Sequence, residues 1–297
     1  MLHKRLIPIL LTLVVLATSW SLIHPELFKV HDYVHSARVA EMARGLLEGQ
    51  LPVRWSGNFG YGYGMPLFEF YAPLPYFVGA LLWMMHIPIE LVIKLLFIIP
   101  SVITVYASYR WGRYWLPELG AVVMSAGVAL APYRAVNLFV RGAVAEAWGM
   151  AFLVVSLWGV SAVVRQKKHS WLLLIIGLAG MILSHNLTTL MSIPALAIWT
   201  ITAVLLESRT SKLTQTIKSV LPSLAGAVLL AVGVTAFYWL PALTEKQYTQ
   251  MDSTILTGYF DFRLHFLYAR QFLQPFWGYG GSNWGPVDGI SFFIGFG

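Results

Sequence analysis

The chain is 297 residues long, 58% hydrophobic and only 11% charged, with a mean hydropathy of +0.68, a make-up that excludes an ordinary soluble domain and reads as an integral membrane protein. The net charge is +7, but the basic residues fall in short clusters between apolar runs and form no stripe with interleaved aromatics, which argues against a nucleic-acid partner. The chain has no cysteine, so disulfides, thiol nucleophiles and thiolate metal sites are excluded, and any metal would need oxygen or imidazole ligands.

The N-terminus, "MLHKRLIPILLTLVVLATSWSLI", has a basic start and a long apolar run, the pattern of a signal peptide or a first membrane helix. "ATS" fits a cleavage site only loosely and the run continues through Trp20, Leu22 and Ile23, so an uncleaved anchor is expected, with Lys4 and Arg5 in the cytoplasm. Further spans read at 91–109, 118–132, 143–164, 171–184, 187–206 and 220–242, giving about seven transmembrane helices. The run at 67–88 is ambiguous. The basic loops "YRWGRYW" (109–115), "RQKKH" (165–169) and "ESRTSKLTQTIK" (207–218) all fall on the cytoplasmic side only if 67–88 does not cross. Pro66, Pro73 and Pro75 fit a broken, re-entrant segment there.

Residues 24–90 then form one long extracytoplasmic loop. It shares its side with "APYRAVNLFVRGAVAE" (131–146), "SHN" (184–186) and "FYWLPALTEKQY" (237–248). Glu90, Lys94, Glu118 and Glu146 lie near span ends, so the mid-membrane titratable groups or broken helices of an ion-coupled transporter are not expected. Within the loop, residues 33–48 are amphipathic, with His35, Arg38, Glu41, Arg44 and Glu48 on one side and Val39, Met42 and Ala43 on the other. This predicts an in-plane helix with Asp32 as N-cap and Gly49 at its C-terminus, either a spacer whose charges face water or one wall of a site. "GNFGYGYG" lacks the preceding strand, spacing and lysine of a nucleotide loop, and no nucleophile elbow or HExxH motif occurs. The chain divides into a membrane core, 1–243, and a polar, aromatic segment, 244–297, in which "FWGYGGSNWGPVDG" reads as a loop and "ISFFIGFG" as the start of a further apolar segment that the chain cuts short.

"HDYVHSARVAEMARGLLEGQLPVRWSGNFGYGYGMPLFEFYAPLPY", "APYRAVNLFVRGAVAEAWG", "LSHNLTTLM" and "FYWLPALTE" resemble, in this order, the bacterial multi-pass membrane proteins described as 6-pyruvoyl-tetrahydropterin synthase-related, which are similar in turn to the GT-C superfamily of membrane glycosyltransferases. The pterin label carries no pterin chemistry into the reading. The resemblance implies an all-α, GT-C-like fold, a polyprenyl-phosphate sugar as lipid-linked donor, and an acid in the first extracytoplasmic loop, where Asp32 stands. Asp32 would act as general base or ligate a divalent cation, with His31 and His35 tuning it. "HD" is not a pair of adjacent acids, so metal dependence is left open. Arg141 is the first choice for the donor phosphate, and Arg38 and Arg134 the second; an Arg141–Glu146 ion pair anchoring the helix is the structural alternative. Glu146, His185 and Asn186 would support the site, helix-end capping being the alternative for the last two. Tyr61, Tyr63, Tyr71 and Tyr76 would make a sugar platform or an interfacial belt. The function expected is sugar transfer to an extracytoplasmic acceptor in the plasma membrane; a flippase for lipid-linked sugars and a non-enzymatic assembly protein are the alternatives.

Overall fold

A computed structural model describes residues 2–209, 212–250, 257–258 and 261–295, with the side chains of residues 2–5 outside the description, so the Lys4–Arg5 expectation falls on side chains not described. The described residues are helical and contain no strand; Ser56 and Met65 exchange one pair of backbone hydrogen bonds as an isolated bridge. The helices are α1 (Leu2–Ser19), α2 (His35–Leu47), α3 (Leu67–Phe70), α4 (Leu74–Met84), α5 (Ile89–Gly112), α6 (Glu118–Ala129), α7 (Pro132–Val136), α8 (Val144–Val164), α9 (Ser170–Ile182), α10 (Asn186–Glu207), α11 (Leu213–Val234), α12 (Ala236–Glu245) and α13 (Ala269–Leu273).

Five segments are long and apolar enough to cross a membrane: Leu6–Ile23, α5, α8, α10 and α11. A sixth exists if α6 and Pro132–Arg141, bent by 44° at their junction, count as one span. The expected span 171–184 forms α9, which runs from the Arg165 end to Leu183 at the other, although its 13 residues rise only about 20 Å at about 1.5 Å each against a hydrocarbon core about 30 Å thick. The ambiguous run 67–88 breaks after α3, and α4 has only 11 residues, too few to cross. The last expected span begins at Leu213 rather than 220, because Thr216 and Val220 pack inward and draw the basic loop into the helix. The break between α6 and α7 also corrects the expectation of unbroken spans: Pro132 has no amide hydrogen to continue the ladder.

The connections sort into two ends. At one, Arg165 pairs with Glu207 at 3.2 Å and donates to the Tyr114 carbonyl at 3.1 Å, which gathers the three basic loops. At the other, Leu74 N–H donates to Leu183 O at 2.9 Å, and the amides of His31 and Asp32 donate to the carbonyls of Val140 and Arg141 at 2.9 and 3.0 Å. The four polar stretches singled out in the sequence thus share an end, opposite the basic loops.

The helix α2 begins two residues after its predicted start. Val34, not Asp32, occupies the N-cap, and no side chain caps it, because the Asp32 carboxylate is drawn to Arg38 instead. Gly49 closes the helix as expected, at φ +84, with Gly49 N–H and Gln50 N–H donating to the carbonyls of Leu46 and Gly45. The water-facing spacer reading fails. Val39, Met42 and Ala43 pack with Tyr76, Val92 and Leu96 of α4 and α5, while His35 and Glu41 on the polar side are buried as well. The loop after α2 folds back over that side: Asn58 donates to both Glu41 oxygens, at 2.6 and 3.0 Å, and Arg44 adds a pair at 3.2 Å.

Candidate functional site

At the polar end α2 presents His35 and Arg38 one turn apart, toward α4. Arg38 Nη1 donates to Asp32 Oδ2 at 2.8 Å, to Tyr76 Oη at 3.0 Å and to Tyr71 Oη at 3.4 Å, while its guanidinium lies 4.5 Å from the Tyr71 ring centre. The His35 ring bridges Tyr76 Oη, 3.0 Å from Nδ1, and the Gly142 carbonyl, 2.5 Å from Nε2, with Asp32 Oδ2 3.9 Å away. Burial lowers the His35 pKa, against the opposing pull of Asp32 and the Gly142 carbonyl, so the imidazole is held neutral and donates to that carbonyl. Burial likewise pushes the Tyr76 phenol well up, and it stays protonated.

The second half of the site comes from the turn that ends the bent span. Residues Asn137–Arg141 form a π turn, closed by Gly142 in the left-handed region at φ +66. A Cβ at Gly142 would strike Val30 and stand 3.0 Å from the Asp32 carbonyl, so only glycine lets the loop 30–32 lie this close. Arg141 Nη1 donates to Glu146 Oε2 at 2.6 Å, Tyr133 Oη at 2.8 Å and Asn137 Oδ1 at 3.1 Å; Tyr133 donates to the other Glu146 oxygen at 2.6 Å. The anchoring Arg141–Glu146 pair therefore forms, yet it uses a single guanidinium nitrogen. Arg141 Nε and Nη2 and Asp32 Oδ1 make no hydrogen bond among the described residues.

The other candidates divide. His185 caps α10, its Nδ1 accepting from Thr188 N–H at 3.2 Å, and burial lowers its pKa beside Glu146 and Arg141. Asn186 donates to the Phe70 carbonyl at 3.1 Å and accepts from Tyr238 at 2.7 Å. Beside it an apolar groove of about 500 Å³ runs between α10 and α12, lined by Leu190, Ile193, Tyr238, Trp239 and Leu243. His31 is exposed, and its ring meets the Tyr279 carbonyl at 2.8 Å in the segment after α13, away from the Asp32 carboxylate. Arg134 is buried, with its Nη2 3.4 Å from Ser101 Oγ, and makes no hydrogen bond to the cluster among the described residues. Tyr71 and Tyr76 enclose Arg38, whereas Tyr61 and Tyr63 are fully exposed on the loop tip.

Sequence reasoning did not single out Tyr133, Asn137 and Tyr238, nor the pair Arg54 Nε–Glu69 Oε2 at 3.3 Å. "APYRAVN" carried the only signal for the first two: polar residues one turn apart before an apolar stretch. Burial raises the Glu69 pKa, with Arg54 opposing, and pushes the Tyr238 phenol up to about 12. Among the described residues no three His, Asp or Glu side chains gather to hold a metal ion.

Comparison with known proteins follows this geometry. A family model described as "6-pyruvoyl-tetrahydropterin synthase related domain; membrane protein" matches residues 68–297. An uncharacterized protein of Lactococcus lactis subsp. cremoris (strain MG1363) is 24% identical over 213 residues, which are 70% of this chain and 34% of that protein, so the chain spans about a third of its relative's length. No solved structure matches the chain.

Proposed function

The chain belongs to the 6-pyruvoyl-tetrahydropterin synthase-related membrane proteins, and on that premise we propose that it is a GT-C-like glycosyltransferase that moves a sugar from a polyprenyl-phosphate donor to an acceptor at the membrane surface. One observation carries the reading: an uncommitted carboxylate oxygen, Asp32 Oδ1, and an uncommitted guanidinium edge, Arg141 Nε and Nη2, stand on backbones joined by a 3.0 Å hydrogen bond. Transfer needs that combination. Asp32 takes the proton of the acceptor hydroxyl as its oxygen bonds to the anomeric carbon; the bond from that carbon to the phosphate oxygen breaks, and Arg141 receives the charge left on the lipid phosphate. Arg38 and His35 position Asp32, and Glu146, Tyr133 and Asn137 position Arg141. A divalent cation, if one takes part, would find its ligand at Asp32 Oδ1. The groove beside Asn186 and Tyr238 suits a prenyl chain. The positive-inside rule puts the Arg165 end in the cytoplasm of a plasma-membrane protein, with its N-terminus, and the site outside.

Turnover of a radiolabelled polyprenyl-phosphate sugar by the parent, Asp32→Asn and Arg141→Ala tests this reading. Loss of about 100-fold or more is expected in each, as when a positioned proton acceptor (Asp32) or a partner of the developing charge (Arg141) is removed; unchanged turnover in both refutes it. The broken α6–α7 span, with the buried Arg134 just past its break, favours one other reading, a flippase for lipid-linked sugars. Labelled lipid crossing sealed vesicles without a new glycosidic bond would select it.

A further inference from the structure

Arg134 is a cation that the donor site leaves unused. Its side chain is only 5% exposed, and no carboxylate among the described residues pairs with it. Nη2 makes one long contact, 3.4 Å to Ser101 Oγ, and Nε is buried with no partner. These two nitrogens form the edge of the guanidinium that takes an oxyanion side-on with two parallel hydrogen bonds. A buried guanidinium without a counter-charge is strongly unfavourable, and inside a membrane protein such a group marks a site by default.

Arg134 lines a cavity of about 90 Å³ at the bend between α6 and α7, walled by Ala17 and Thr18 of α1, Ser101 of α5, and Ala129, Ala135 and Phe139. Ala17, Ala129, Ala131 and Ala135 leave room there for a tetrahedral oxyanion. Arg134 lies seven residues before Arg141, about 10 Å at about 1.5 Å per residue, so the cavity is set below the polar end rather than opening onto it. Leu130 at its rim is half exposed on the apolar flank. Less than one turn beyond Thr18, the strongly exposed Trp20 marks the level at which indoles meet lipid headgroups. An anion that reaches Arg134 therefore comes from the bilayer, between α1 and the α6–α7 bend.

We propose that Arg134, with Ser101, binds the phosphate of an anionic phospholipid whose acyl chains stay in the membrane along α1, as a lipid site separate from the Asp32–Arg141 centre. The proposal does not depend on the transferase reading. Native mass spectrometry of the whole chain released from detergent, titrated with phosphatidylglycerol, phosphatidylcholine or inorganic phosphate, tests it. One phosphatidylglycerol should be retained, with at least tenfold preference over phosphatidylcholine. Arg134→Gln should abolish the preference. Ala135→Phe, which fills the cavity and leaves the charge, should lower the occupancy at least fivefold and carries the test if Arg134→Gln does not fold. Asp32→Asn should bind as the parent does. No preference in the parent, unchanged retention in Ala135→Phe or in folded Arg134→Gln, or displacement by equimolar inorganic phosphate would overturn the assignment.

Discussion

Replacing Gly142 by alanine tests whether the two halves of the site are held together as described. The residue sits at φ +66, where an L side chain costs about 1–2 kcal/mol. The new methyl would strike Val30, with Val30 Cβ at 2.7 Å and the Asp32 carbonyl at 3.0 Å, and such overpacking costs about 1–3 kcal/mol. Together these give a loss of about 2–5 kcal/mol, expressed where the amides of His31 and Asp32 pair with Val140 and Arg141. Urea unfolding of the detergent-solubilised protein, followed by tryptophan fluorescence, measures it. Gly127→Ala is the control, since a Cβ there meets nothing within 4 Å inside α6, and it should be neutral or gain up to about 1 kcal/mol. Val30→Gly on the Gly142→Ala background removes the clash and should return the packing part only. Gly142→Ala within about 0.5 kcal/mol of the parent, a surface-like value, would refute the close approach. Full rescue by Val30→Gly would refute the backbone part.

Because burial lowers the His35 pKa below 6.5, its neutral form contributes stability that is fully present above pH 6.5 and is lost as the pH falls toward the lowered folded value; thermal unfolding between pH 7.5 and 5 should therefore fall more steeply in the parent than in His35→Gln. Glu69 has the opposite sign, since its raised pKa contributes stability below the ordinary value of 4.5 that is lost as the pH rises through the folded value, and Glu69→Gln should flatten that acid-side slope in the same scans. Tyr133→Phe removes the donor to Glu146 at 2.6 Å and an acceptor of Arg141 at 2.8 Å, a loss of about 1–2 kcal/mol by urea titration. Since the chain has no cysteine, Tyr63→Cys and Lys168→Cys give unique labels, and an impermeant maleimide should reach them from opposite sides of a sealed vesicle.

The charged ends and apolar interiors of α5, α8 and α10 made those helices legible, because transfer free energy acts residue by residue along the chain. The same local signal also found the N-terminal span, but it misplaced the start of α11 and did not show the bend after α6. Nothing in 118–141 announces the bend except Pro132, and Lys218 did not stop α11 from starting at Leu213, since a long amine can reach the interface from inside a helix. Periodicity found α2 within two residues but not the burial of its polar side, which depends on the loop at Asn58 folding back. The pairing of Asp32 with Arg38 and of Arg141 with Glu146 brought expected neighbours together, while His31 and Arg134 diverged because adjacent side chains on a loop or a turn point different ways.

The π turn at Asn137–Arg141 makes the number of residues there count as well as the side chains of Arg141 and Asn137. It accommodates one residue more than an α turn, so losing any single residue between 137 and 141 would let the ladder revert and swing everything before it by about 100° relative to Glu146. Among descendants of this sequence, insertions and deletions should be absent from that turn and collect in the exposed tip around Tyr61 and Tyr63.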